Sequence, residues 1–184
     1  MSTEFGIADH VTLELVSASN RALIDGLSQF YIYDFSELDP VGSTVFSFTE
    51  HGAFSPLPGV DDYWGKDGAY ALVIRFDGRA AGFVLINTLS HRNGQTVERN
   101  MGEFFVARQY RRNGIATEVL RQVLEQYPGD WEVAVVERNS AAKAFWPCAI
   151  AAAPNVSGLV RIEGDGEQWC GPIWCFSAQG RDSG

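Results

Sequence analysis

The stretch that most constrains this chain is residues 98–136. There a strand-like run, "ERNMGEFFVA", is followed by a glycine turn, a helical pattern and a second strand-like run, "WEVAVV". Ile115, Val119, Leu120, Val123, Leu124 and Tyr127 recur at three and four residues, the spacing of one apolar helix face. Pro128-Gly129 stops the helix. Strand, helix and strand in this order need a crossover, so the two strands are expected to lie parallel in one sheet.

The segments around this unit read mostly as antiparallel. "VTLELV" (Val11–Val16) alternates like a half-buried strand, and Ser17 or Ser19 is placed to cap a helix through "NRALIDGLSQFYIYDF". Leu23, Leu27, Phe30 and Tyr31 would form its apolar face. "AYALVIRF" and "RAAGFVLINTL" flank Asp77-Gly78, a dipeptide suited to a type I′ hairpin turn. Residues 90–97 make a second turn into "ERNMGEFFVA", completing a meander. Asn139 or Ser140 caps a further helix, "AAKAFWPCAI", which Pro147 should disrupt. "SGLVRIE" and "QWCGPIWCFS" close the sheet. The expectation is one α/β (α+β) domain over residues 1–184, a mixed and mostly antiparallel sheet flanked by helices. Residues 34–68, rich in loops and aromatics, would form a lobe or lid, and about 178–184 a frayed tail.

Composition narrows the partners. With 14 basic against 23 acidic residues the net charge is −9, which disfavours nucleic acid and mildly favours a cationic or amine-bearing partner. No apolar run approaches the roughly 20 residues that cross a bilayer, and the N-terminus has no secretion pattern, so no membrane association and a cytoplasmic location are expected. Cys148, Cys170 and Cys175 are an odd number without nearby histidines. Free thiols are expected, and no metal.

The turn Arg111-Arg112-Asn113-Gly114-Ile115-Ala116 opens a helix, where unpaired N–H groups and the helix dipole favour an anion such as a diphosphate. Gly114 and Ala116 are small enough for a bulky anion to reach the backbone. The turn is neither a Walker loop nor Gly-x-Gly-x-x-Gly.

In this turn Arg111, Gly114 and Ala116 match the Gln/Arg-x-x-Gly-x-Gly/Ala signature of the GNAT superfamily of acetyl-CoA-dependent N-acetyltransferases, which the sequence resembles. The preceding strand "EFFVA", the following strand "WEVAVV" and "NSAAKAFW", similar to that family's Asn-x-x-Ala-x-x-x-Tyr helix start, extend the match over residues 70–150. The flanks agree by element order. More narrowly, the chain looks like a bacterial branch of predicted acetyltransferases sharing the Trp-Glu-Val strand and the Ala-Phe-Trp helix. The resemblance implies the GNAT fold, with a V-shaped split between "EFFVA" and "WEVAVV" that takes the pantetheine arm of acetyl-CoA. Main-chain groups of Phe104, Phe105 and Val106 would hold the arm and polarise the thioester carbonyl. The N–H groups of Arg111, Arg112, Asn113, Gly114, Ile115 and Ala116 would hold the pyrophosphate, and Asn139 would contact the pantetheine. Homodimers are common in the superfamily, and a homodimer is compatible with this resemblance.

Direct transfer requires a base for the amine and a proton for the departing thiolate. Glu103, at the start of the central strand, is the candidate base, with an exposed strand-face glutamate as the competing reading. Alignment on Asn139 and Ala142 puts Trp146 where the family commonly has an acidic tyrosine, and an indole N–H is no acid for a thiolate. Trp146 then reads as packing, against the pantetheine or its sulfur. Cys148 (otherwise a small buried hydrophobe), water or a tyrosine remain as donors. A small-molecule or protein amine acceptor would meet "YIYDFSELD", with Tyr31, Tyr33, Asp34, Glu37 and Asp39, or Asp61 and Asp62. Each of these is also readable as plain core or surface. His10, His51 and His91 carry no assigned chemistry. Two other functions stay open: a CoA-binding sensor or regulatory module with little catalysis, motivated by Trp146, and transfer from a longer acyl-CoA or an aminoacyl-tRNA, the last disfavoured by the acidic charge.

Overall fold

The computed structural model describes residues 6–92 and 94–180. Seven strands form one sheet: β1 (Val11–Leu15), β2 (Tyr70–Phe76), β3 (Arg79–Leu89), β4 (Thr96–Val106), β5 (Gly129–Ala134), β6 (Val156–Glu163) and β7 (Pro172–Ala178). Their spatial order is β1-β2-β3-β4-β5-β7-β6. β4 and β5 are parallel and every other neighbouring pair is antiparallel, as the crossover argument requires. Asp77 and Gly78 both have positive φ, 49° and 74°, the backbone that a type I′ turn between β2 and β3 demands.

Side-chain alternation in the central strands feeds two cores. Leu72, Ile74, Val84 and Ile86 face one side and meet α2 (Ile115–Gln126) and α3 (Ser140–Ala151). Ala71, Val73, Phe83, Leu85 and Phe105 face the other and meet α1 (Ala22–Ser36), together with Phe54, Leu57, Val60 and Tyr63 from the following lobe. The expected lobe is therefore folded, with a single-turn 3₁₀ segment at Val60–Trp64 and a Phe48–Phe54 bridge.

Four local expectations are corrected. The buried stripe of α1 is Ile24, Ser28 and Ile32, whereas Leu23 and Phe30 are exposed and Leu27 and Tyr31 half-buried. Apolar residues occur nearly all round this helix, so the sequence pattern does not choose a buried face and the sheet beneath sets it. Neither Ser17 nor Ser19 caps it: their hydroxyls pair with each other, and a 3₁₀ turn at Ala18–Asn20 intervenes. Third, α3 runs through Pro147 to Ala151. Proline removes one donor there, but buried Trp146, Ala149 and Ile150 hold the helix on the sheet. Asn139 does cap α3, its Oδ1 accepting from the Ala142 N–H at 3.0 Å. At the end of the chain Ala178 is a buried strand residue and the Gln179 N–H donates to the Asn155 carbonyl, so the expected tail does not include these two residues; residues 181–184 lie outside the described residues.

Gly26 sits on the exposed side of α1 with nothing within 4 Å of where a Cβ would stand. Gly26→Ala is expected to stabilise the protein by about 0.5–1 kcal/mol, read from the denaturation midpoint at unchanged m value.

Candidate active site

β4 and β5 pair only at Arg99–Trp131 and Asn100–Glu132, then separate. Beyond the separation the Ala107 N–H donates to the Ala81 carbonyl, and ladder alternation turns the N–H and C=O of Phe105 and Glu103 toward β3 as well. The main-chain groups of Phe104 and Val106 consequently face the split. Phe105 is thus a core side chain whose main chain belongs to the ladder, and the expected arm-binding groups reduce to those of Phe104 and Val106. The Val106 carbonyl is already engaged, accepting from Arg111 Nε at 2.6 Å.

Two cavities open along the split. One, about 480 Å³, lies between the end of α1, β4, the turn before α2 and the start of α3, and touches Phe104, Val106, Arg112, Ala116, Asn139 and Trp146. Gly114, the residue preceding α2, has φ 78° and no side chain caps the helix, so its first N–H groups stand open beside this cavity. Ile115 is buried and anchors the helix start, while Asn113 uses its amide to cap the Arg111 carbonyl. Arg111 itself is spent: besides Val106 it binds the Asp34 carboxylate, which also takes Arg108 at 2.8 Å. Arg112 is exposed and lines the edge of the same cavity.

The second cavity, about 340 Å³, lies deeper between Met101–Phe104 and Val133–Val136, beneath the lobe. The two meet at Tyr31, Phe35, Phe104, Asn139, Ala142 and Trp146. Glu103 points into it from β4, and it is not the exposed strand-face residue of the competing reading. The Tyr31 hydroxyl donates to its carboxylate, and burial pushes the Glu103 pKa up to about 7 against the lowering effect of that bond. The same burial, with the Glu103 charge beside it, holds the Tyr31 phenol well above its usual range.

A β-bulge shapes this point. Leu85 pairs with Glu103 and Ile86 with Met101, leaving Gly102 unmatched. A Cβ on Gly102 would stand 2.2 Å from Tyr63 Oη and 2.7 Å from Asn87 Nδ2. Asn87 Oδ1 accepts from the Leu89 N–H and from Asn100 Nδ2, which fixes Asn87 Nδ2 as the donor to Tyr63 Oη at 2.8 Å. The Tyr63 hydroxyl hydrogen is then left to point away from Asn87.

Of the remaining predicted residues, Asp34 and Glu37 line the outer cavity, while Tyr33, Asp39, Asp61, Asp62 and Cys148 border neither. Tyr33 is exposed, and the acids near the end of α1 are paired: Asp34 with Arg108 and Arg111, Glu37 with Arg108 at 3.6 Å, Asp39 with Arg138 at 3.0 Å. Asp61 and Asp62 pair with Arg21 and Lys66 away from Glu103. Cys148 is exposed and borders neither cavity, which removes it both as a buried hydrophobe and as a proton donor. Trp146 is buried against Phe104, ring centroids 5.1 Å apart, and forms a wall common to both cavities. Two wall residues went unrecognised in the sequence. His91 and Trp169 stack at 4.4 Å on the far side of the inner cavity, from turns 78 residues apart. The buried Glu132 on β5 holds the first of these turns by accepting from Ser90 Oγ, the His91 N–H and Arg92. Among the described residues no cluster of three or more His, Cys, Asp or Glu is arranged to hold a metal, and no helix is long and apolar enough to cross a membrane.

A mixed sheet splayed after two parallel pairs, with an open helix N-terminus at its mouth, is the arrangement that the sequence resemblance leads one to expect. The model of the acetyltransferase (GNAT) family matches residues 32–148, and the chain belongs to that family. Its fold is shared by solved structures of low sequence identity. An acetyltransferase from Thermus thermophilus superposes with a TM-score of 0.62 at 11% identity, over 92% of this chain and 97% of that one. The PaiA N-acetyltransferase of Thermoplasma acidophilum, solved in complex with coenzyme A, gives 0.55 at 10%, over 92% and 99%. The ribosomal-protein-S18-alanine N-acetyltransferase of Escherichia coli gives 0.52 at 10%, over 94% and 97%. No curated protein matches the sequence.

Gly102→Ala should destabilise the protein by about 1–3 kcal/mol, because a rigid phenol and the strand backbone must part to admit one methyl group. Denaturant titration beside wild type measures it.

Proposed function

We propose that the protein transfers the acetyl group of acetyl-CoA directly to an amine, with Glu103 as general base. The observation that carries this reading is a carboxyl poised near neutrality inside the inner cavity, where that cavity adjoins the one below the α2 N-terminus. Acetyl-CoA supplies the activated acyl group as a thioester. The N–H groups from Arg112 to Ala116 hold its pyrophosphate, with the Arg112 side chain adding charge. The split-facing groups of Phe104 and Val106 orient the pantetheine arm and the thioester carbonyl. Asn139, whose Oδ1 is used on α3, has its Nδ2 for the arm, and Trp146 is the wall along which the arm lies.

Glu103 removes the proton from the attacking amine. Tyr31 touches that carboxylate and borders both cavities, so it takes the place of the missing acid: it passes its proton to the departing sulfur and recovers one from Glu103. The net change is one proton moved from nitrogen to sulfur. The reading of a binding module without catalysis rested on Trp146 alone, and the Glu103–Tyr31 pair supplies the proton chemistry that Trp146 lacks.

Glu103→Gln should lower kcat by about 10²–10⁴-fold while acetyl-CoA affinity by calorimetry stays within twofold. Since Glu103 must be ionised to act, kcat/KM should rise with pH through about 7. Tyr31→Phe removes the bond that favours the carboxylate, so this limb should move to higher pH. A profile flat from pH 6 to 8 would reject Glu103 as base. Gly114→Val should weaken acetyl-CoA binding at least tenfold, since its left-handed backbone and bare Cα both serve the cradle; unchanged calorimetric affinity would reject the cradle.

A further inference from the structure

We infer that the acceptor is a monoamine on an apolar, preferably aromatic, body, and not a polyamine or another amine with a second cationic group. The inference rests on the acetyl-transfer reading above and concerns the inner cavity. Its walls are rings and aliphatic groups from separate segments, among them Phe35, Phe46, Leu57, Phe104, Trp146 and Trp169. Among the described residues Glu103 is the only carboxylate lining it. Of the other acids near the site, Asp34 and Glu37 line the outer cavity, where Asp34 pairs with Arg108 and Arg111 and Glu37 with Arg108, while Asp39, Asp61 and Asp62 border neither cavity and pair with Arg138, Arg21 and Lys66. His91 brings no negative charge, and its burial against Trp169 lowers its pKa, keeping the ring neutral.

One carboxylate meets one amine. A second ammonium on the same molecule would be desolvated against Phe46, Leu57 or Trp169 with no counter-charge, a strongly unfavourable placement. An aryl or branched alkyl body replaces water on those walls instead, and the paired rings of His91 and Trp169 offer a flat face for it. The volume, about 340 Å³, suits a compact body of this kind.

The test measures CoA release with a thiol reagent at saturating acetyl-CoA, using 2-phenylethylamine, hexylamine and spermidine, with acetyl-CoA affinity measured separately by calorimetry. The expected result is a kcat/KM for 2-phenylethylamine at least tenfold above that for spermidine, with hexylamine between them. Trp169→Ala should raise KM for 2-phenylethylamine at least fivefold while acetyl-CoA affinity stays within twofold. Val45→Glu, which sets a carboxylate at the exposed rim of the same cavity, should narrow the preference against spermidine at least threefold. Spermidine used as well as or better than 2-phenylethylamine would overturn the inference and leave the acetyl-transfer reading standing. Acetyl-CoA binding with no release over either apolar amine would overturn the inference as well, and release over spermidine in the same assay would decide whether the acetyl-transfer reading stands. Failure to bind acetyl-CoA would instead remove the donor reading on which the inference is built.

Discussion

Everything at this site follows from two strands that stop pairing. A sheet gains its stability by matching each main-chain donor and acceptor, and an interior strand edge left open is costly unless something fills it. β4 and β5 share two paired positions and then part, leaving the N–H and C=O of Phe104 and the N–H of Val106 turned into a gap between two packed cores. An extended ligand carrying its own amides is the chemical complement of such a gap. The gap is held open by its surroundings: Trp146 and Phe104 fill one side, α1 and the lobe the other, while Glu132 ties the β3–β4 turn to β5 at its closed end.

The bulge at Gly102 turns this open edge into a chemical site. One extra residue in β4 shifts the alternation, so that Glu103 faces Tyr31 and the lobe while Phe104 faces α3. The Glu103 carboxyl thus stands on one face of the strand and the Phe104 ring on the other, with the Phe104 main-chain groups opening onto the split between them. The burial that gives Glu103 its elevated pKa comes from that arrangement. A carboxyl on the outer face of an edge strand would ionise normally and would hold no proton near neutrality.

How much of this is readable in the sequence depends on whether the relevant residues are contiguous. The proposed donor side is a local object: turn, helix start and flanking strands occupy residues 98–136, and periodicity plus the Gly114 signature specify them almost completely. The fold class and the parallel pair follow from the same stretch. The inner cavity, the proposed acceptor side, is assembled from the end of α1, the lobe, the turn at His91, β4, β5, α3 and the turn at Trp169, and no spacing rule links those segments. The phase of α1 is not legible because its apolar residues cover most of its circumference, so only the sheet beneath could choose Ile24, Ser28 and Ile32. The acids of "YIYDFSELD" are visible as residues, but their arginine partners lie about 70–100 positions away.

Arg111 carries a consequence of its own. In the sequence it marks the donor loop, yet its guanidinium clasps Asp34 at the end of α1 and the last carbonyl of β4. The turn before α2 and the end of α1 are therefore not independent modules. Loss of the Asp34 carboxylate would free a cation at the mouth of the outer cavity, whereas changes in the lobe or in the turn bearing Trp169 leave this clasp untouched.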